Sequence, residues 1–185
     1  MTQAASGFPV LPLPLDGDYL ELVAGAGRIA VYYARPESLS QQAPLLLVHS
    51  VNASASAAEV APLFDHYRNT RPVYALDLPG YGLSDRSDRA YTPRLMTDAL
   101  HAVVELIRGQ CGGGPVDVLG VSLACEFVVR LHSEDLTQCA ALRWSARLVL
   151  AEASGITAHR GLRVAYPGCT ERWLIQRGAA RYLTR

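Results

Sequence analysis

The chain has 185 residues, half of them hydrophobic, and its 17 basic residues cancel its 17 acidic ones. That length allows one domain with a sizeable buried core, and the balanced charge gives no footing for nucleic acid or an anionic membrane surface. All the basic side chains are arginine, and no apolar run approaches the roughly 20 residues of a membrane span.

The N-terminal stretch Pro9-Val10-Leu11-Pro12-Leu13-Pro14 is broken by proline and is not a signal peptide. Tyr19-Leu20-Glu21-Leu22-Val23 and Arg28-Ile29-Ala30-Val31-Tyr32-Tyr33, joined by Ala24-Gly25-Ala26-Gly27, read as an antiparallel hairpin. Leu45-Leu46-Leu47-Val48 is a continuous apolar run, the mark of a strand buried on both faces. Residues 57–67 place Val60, Leu63, Phe64 and Tyr67 at helical spacing. Val73-Tyr74-Ala75-Leu76 is the next strand.

Thr92-Pro93 opens a helix with a capping hydroxyl and a proline at the first helical position, and that helix ends near Gly109. Val116-Asp117-Val118-Leu119 is a strand, 123–131 a helix, and Leu148-Val149-Leu150 a sixth strand. Strands alternating with helices of about a dozen residues predict an α/β fold: a mostly parallel sheet behind an N-terminal antiparallel hairpin. From Gly155 the pattern weakens, and the tail carries six arginines against one acid, Glu171. Residues 171–183 are read as a helix with Leu174, Ala179 and Tyr182 inward. The division expected is a core over 1–154 and a cap start or out-of-family tail over 155–185.

Three strings carry chemistry. Gly120-Val121-Ser122-Leu123-Ala124 lies between a buried strand and an apolar helix. A serine on so tight a turn needs a strained backbone and small neighbours, and it is lifted above the carboxyl ends of the strands. The amide of Leu123 and the start of the helix then face any negative charge forming beside the hydroxyl. Small-x-Ser-x-small strings also occur by chance at helix starts, so the strand–turn–helix setting carries the nucleophile reading of Ser122. The other two strings are His49-Ser50-Val51-Asn52, directly after a buried strand, and Asp77-Leu78-Pro79-Gly80-Tyr81-Gly82-Leu83-Ser84-Asp85. Much of the latter's proline and glycine is turn punctuation.

With these three strings in this order over 19–154, the chain resembles the α/β-hydrolases, in particular the small cofactor-free esterase, C–C hydrolase and haloperoxidase-like branch. In that family a His-Gly pair opens the oxyanion-hole loop; here Ser50 stands in place of the glycine, and Ala124 ends the serine string where glycine is usual. The resemblance implies that the Val51 and Leu123 amides hold an oxyanion and that Asn52 adds a side-chain donor. It also implies that His49 orients the loop instead of acting as base, and that no cofactor is needed.

A serine needs a base, and the base an orienting acid. Glu152, after the sixth strand, is read equally as that acid or as an ordinary loop glutamate. His66, His101 and His132 fall on predicted helices, and His159 falls where the family begins its cap, so the catalytic histidine is not found. About six of the family's eight strands are counted. The expectation is a chain truncated or frame-shifted near Gly155, poorly soluble because its sixth strand is left at the sheet edge, and impaired in turnover.

The expected function is hydrolysis of small esters or related carbonyl compounds, with a small-molecule substrate and neither nucleic acid nor membrane as partner. A non-catalytic binding protein that retains the fold is the alternative. A nucleotide-binding reading fails because Gly112-Gly113-Gly114 precedes a strand, whereas phosphate loops lie between a strand and a helix. Cys111, Cys125, Cys139 and Cys169 have neither metal-site nor disulfide-framework spacing, which predicts thiols and a cytoplasmic location.

Overall fold

The computed structural model describes residues 13–37, 40, 42–138, 145–151 and 174–175. Strands β1 (Asp18–Ala24) and β2 (Gly27–Ala34) form the expected hairpin, in register from Asp18 opposite Tyr33 to Ala24 opposite Gly27. β3 (Leu45–Val48), β4 (Val73–Leu76) and β5 (Val116–Val121) follow, then β6 (Ser145–Ala151) and the two-residue β7 (Leu174–Ile175). They make one sheet in the order β1-β2-β4-β3-β5-β6-β7, antiparallel through β1, β2 and β4 and parallel from β4 onward.

β3, β4 and β5 are buried almost throughout because the sheet is covered on both faces. Alternate residues serve opposite layers. Leu46, Val48, Tyr74, Leu76 and Val118 pack with helices α2 (Pro93–Gln110) and α3 (Ala124–Gln138). Leu45, Leu47, Val73, Ala75 and Leu119 pack with the turn Ala57–Val60 and with α1 (Ala61–Tyr67), whose Phe64 is fully buried. α1 connects β3 to β4 over one face, and α2 connects β4 to β5 over the other. The strand order therefore reverses direction between β3 and β5, the point at which open α/β sheets form a crevice for ligands.

Three expectations change. The helix read over 57–67 is a 3₁₀ turn, Ala57–Val60, followed by α1. Pro62 has no amide proton to give and fits only the first turn of an α-helix, so it starts a new helix there. The tail was expected to add no strand, yet Leu174–Ile175 pairs with Val149–Leu150, so β6 is not the edge of the sheet. That pair also replaces the start of the helix read over 171–183; its remaining residues lie outside the described ones. α2 runs as expected, with Thr92 Oγ1 accepting from the Leu95 amide at 3.2 Å.

At the amino end of the parallel strands, Arg71 and Asp117 are paired at 2.5 Å with side chains only 8% exposed. The same guanidinium donates to the carbonyl of Ala43. One arginine thus ties the entries to β3 and β4 to the second residue of β5. Arg71 Nε and Asp117 Oδ1 are buried without hydrogen-bond partners. A buried pair with unsatisfied atoms on both partners adds little net stability, but it joins three segments of the chain at one point.

Among the described residues, no helix is long and apolar enough to cross a membrane. Cys111 and Cys125 are thiols, while Cys139 and Cys169 lie outside the described residues.

Candidate active site

Parallel pairing sets Val48 beside both Leu76 and Gly120, so the chain leaves β3, β4 and β5 at one level. Three loops meet there: the one carrying His49 to Asn52, the one from Asp77, and the turn at Ser122. Adjacent strands lie about 4.8 Å apart, which makes these loops immediate neighbours.

Ser122 stands between the end of β5 and the start of α3 with φ = 54°, the one non-glycine residue at positive φ among the described residues. A left-handed backbone at a side-chain-bearing residue costs of order 1 kcal/mol and persists only where the surroundings enforce it. They do so here. The amides of Cys125 and Glu126 close onto the carbonyls of Ser122 and Leu123 at 3.1 and 3.0 Å, starting the helix at once. A Cβ on Gly120 would lie 3.1 Å from Val128 Cγ2 and 3.3 Å from the Cys125 amide nitrogen, so a side chain there would press on the helix that follows. Ala124 and Cys125 are fully buried against the sheet, where small residues are needed.

The turn after β4 is built from side chains. Asp77 is fully buried. Its Oδ1 accepts from the Ala57 amide at 2.7 Å, and its Oδ2 accepts from the Tyr32 hydroxyl at 2.8 Å and the Leu83 amide at 2.9 Å. Burial, and next the bond to Asp77, hold the Tyr32 hydroxyl above its ordinary pKa, so it remains a donor. Ser84 Oγ donates to the Asp77 carbonyl at 2.5 Å and accepts from the Ala30 amide at 2.9 Å. Gly82 has φ = 47°, and a Cβ there would fall 2.0 Å from the Asp77 carboxyl carbon. The Asp-x-Pro-Gly-x-Gly-x-Ser string is therefore a folding device that fixes one wall of the crevice.

His49 joins the two loops. It is fully buried; Nε2 accepts from the Leu78 amide at 3.0 Å and Nδ1 lies 2.6 Å from the Ser50 carbonyl. Accepting at Nε2 places the ring proton on Nδ1, which donates to that carbonyl. Burial keeps the imidazole below its ordinary pKa, a shift that the bond to the Ser50 carbonyl opposes. Tyr81 packs edge-on against the ring with centroids 5.3 Å apart. Both nitrogens are thus committed to main chain.

Asn52 lines the crevice at these strand ends and is also hydrogen-bonded within its own loop. Asn52, read as a substrate donor, gives Nδ2 to Ser50 Oγ at 2.7 Å and takes the Ser54 amide on Oδ1 at 3.0 Å. It shapes its own loop, as short amide side chains do when they close a turn onto nearby backbone. Glu59, which the sequence reading passed over, accepts from Ser50 at both the amide (2.7 Å) and the hydroxyl (2.8 Å).

A crevice of about 900 Å³ opens beside these loops. Val51 and Leu123 both line it, together with Tyr81, Met96, Phe127 and Arg86; Ser122 borders it through Leu123 without being part of the lining. Among the other described histidines, His66 stacks edge-on with Tyr67, and His101 Nε2 lies 3.2 Å from Glu134 Oε2. His132 sits on α3, about 12 Å along the helix from Ala124. Glu152 and His159 lie outside the described residues.

Solved structures share this architecture. A deformylase acting on N-formylmaleamic acid, from Pseudomonas putida S16, superposes with a TM-score of 0.56 at 21% identity, over 72% of this chain and 46% of its own. The N-acyl homoserine lactonase AidH, solved with N-butanoyl homoserine, gives 0.56 at 28% identity over 74% of this chain and 45% of its own. An α/β serine hydrolase without a lid, from Xanthomonas campestris, gives 0.57 at 15% identity over 77% and 72%. The chain spans about half the length of the first two. The sequence model of the alpha/beta hydrolase family matches residues 45–185, more than half of the chain and all three loops at the strand ends. The chain belongs to the alpha/beta hydrolase family.

Proposed function

We propose that this chain carries the nucleophile and oxyanion-hole half of a serine hydrolase acting on small esters or related carbonyl compounds. The observation behind this reading is the positive φ of Ser122 at the carboxyl end of β5, a strained conformation held where a helix begins. In the proposed step the Ser122 hydroxyl attacks the acyl carbon. Its proton passes to a base, and the tetrahedral oxyanion is held by the amides of Val51 and Leu123. Glu152, the residue after the end of β6, is the proposed orienting acid. The base is assigned to none of the described histidines, because His49 spends both nitrogens on main chain and His66, His101 and His132 do not line the crevice. These residues alone are therefore proposed to turn over slowly. The lactonase and serine hydrolases among similar structures support a carbonyl substrate.

Labelling with a fluorophosphonate, read by intact mass and peptide mapping, tests the reading. The expected result is a single adduct on Ser122, absent in Ser122→Ala, with p-nitrophenyl acetate hydrolysed far more slowly than by a complete serine hydrolase. Full turnover would overturn the proposed impairment. Absence of an adduct, with a small carbonyl ligand still bound, would favour a second reading that the His49 geometry also suits: a binding protein that keeps the fold without the chemistry.

A further inference from the structure

We infer that Glu59 is a positioning residue for the oxyanion loop, acting through Ser50 on the amide of Val51. This rests on the assignment of that amide as an oxyanion donor. Where the family commonly carries glycine, this chain has a serine that is only 4% exposed and needs hydrogen-bond partners. Glu59, nine residues away on the 3₁₀ turn, supplies them from outside the loop. One carboxylate oxygen takes the Ser50 amide at 2.7 Å and the other takes the Ser50 hydroxyl at 2.8 Å. The hydroxyl oxygen in turn receives Asn52 Nδ2 at 2.7 Å, and Asn52 Oδ1 receives the Ser54 amide at 3.0 Å.

Val51 therefore lies between two residues that are both tied to Ser50 Oγ, and through it to Glu59. The peptide that carries the Val51 amide has its carbonyl, that of Ser50, held by His49 Nδ1 at 2.6 Å, and the peptide before it is held by Glu59, so His49 and Glu59 set the direction of the Val51 amide together. Charge-assisted bonds to main-chain amides are the strong class of hydrogen bond, and two on one residue fix its orientation as well as its place. The turn bearing Glu59 is itself anchored, since the Ala57 amide donates to the buried Asp77 carboxylate at 2.7 Å. Hydrogen bonds thus join Asp77 to the turn at Ala57, and the same turn, through Glu59, to Ser50 beside Val51. An oxyanion donor misdirected by a fraction of an ångström loses much of its effect, because its advantage depends on prior alignment.

The test compares Glu59→Ala, Glu59→Gln and Glu105→Ala as an exposed control. Labelling by a fluorophosphonate is resolved into its binding constant and its maximal rate, with thermal midpoint and Val51 amide hydrogen exchange measured in parallel. Glu59→Ala is expected to lower the maximal labelling rate about tenfold, with little change in the binding constant, and to speed Val51 exchange. Glutamine can accept the Ser50 amide and donate to the hydroxyl, so Glu59→Gln is expected to stay within about threefold of wild type. Equal labelling rates and equal Val51 exchange in Glu59→Ala and the control would overturn the inference. So would a fall shared equally by the binding constant and the rate, or no rescue by glutamine at an unchanged midpoint. If the wild-type chain takes no label, the assignment of Ser122 fails, and Val51 exchange in Glu59→Ala still decides whether Glu59 orders the loop.

Discussion

Two turns leave the parallel strands that flank β3 at the same level of the sheet, and they are built on opposite plans. The turn after β4 relaxes its backbone by spending glycine at positive φ, at Gly80 and Gly82, and fills its interior with a buried carboxylate that accepts three donors. The turn after β5 uses a side-chain-bearing residue at φ = 54°, held by the strand before it and the helix after it. A turn whose task is to be rigid can use the residue that fits the backbone best. A turn that keeps a serine at such a backbone conformation keeps the strain with it.

Breaking the first turn should have the largest effect. Asp77→Ala leaves the amides of Ala57 and Leu83 and the Tyr32 hydroxyl without an acceptor, and is expected to remove about 4 kcal/mol from the urea unfolding free energy. Gly82→Ala, which drives a methyl into the Asp77 carboxylate, should match it. The link between the turns comes next. His49 is held below its ordinary pKa of about 6.5 in the folded chain, so the unfolded chain binds more protons as the pH falls through that value. Its contribution is complete above pH 6.5 and is lost on acidification until the folded-state pKa is reached, by up to about 1.4 kcal/mol per pH unit. Unfolding measured from pH 8 to pH 5 should show that slope, and His49→Gln should flatten it.

The second turn should respond in the other direction. Ser122→Gly relieves the left-handed strain and is expected to raise stability by about 1 kcal/mol over Ser122→Ala, while both abolish fluorophosphonate labelling. Equal stability of the two variants would show that the serine turn is not strained. The smallest change is expected at Arg130→Ala, which removes an exposed pair with Glu126 on α3 and should stay within about 0.5 kcal/mol.

The strands and the serine turn were legible in the sequence because each depends on local signals. Leu45 to Val48 is apolar without interruption only because both faces are covered, and small residues at Gly120, Ala124 and Cys125 announce a crowded turn. The Thr92-Pro93 cap is likewise local. Other features depend on contacts distant in sequence. Nothing around Glu59 marks it as different from any exposed helical glutamate; its role exists only because the 3₁₀ turn packs under the loop after β3. The bond from Asn52 to the Ser50 hydroxyl is likewise invisible in the sequence, because it depends on how the loop folds. Leu174–Ile175 is too short to show periodicity, and its pairing is supplied by β6. A serine where glycine is usual was the available hint of Glu59, since a buried hydroxyl calls for a partner somewhere.

The clamp of Arg71 on Asp117 and Ala43 lies at the far end of the strands from Ser122, yet it bears on where that residue sits. A slip of a single position between β3 and β5 would slide one loop past its neighbour by about 3.3 Å and turn alternate side chains to the wrong layer. Pinned at their starting ends, the short central strands deliver their exits in step, so the relative placement of Ser122 and Val51 is tied to contacts a full strand length away.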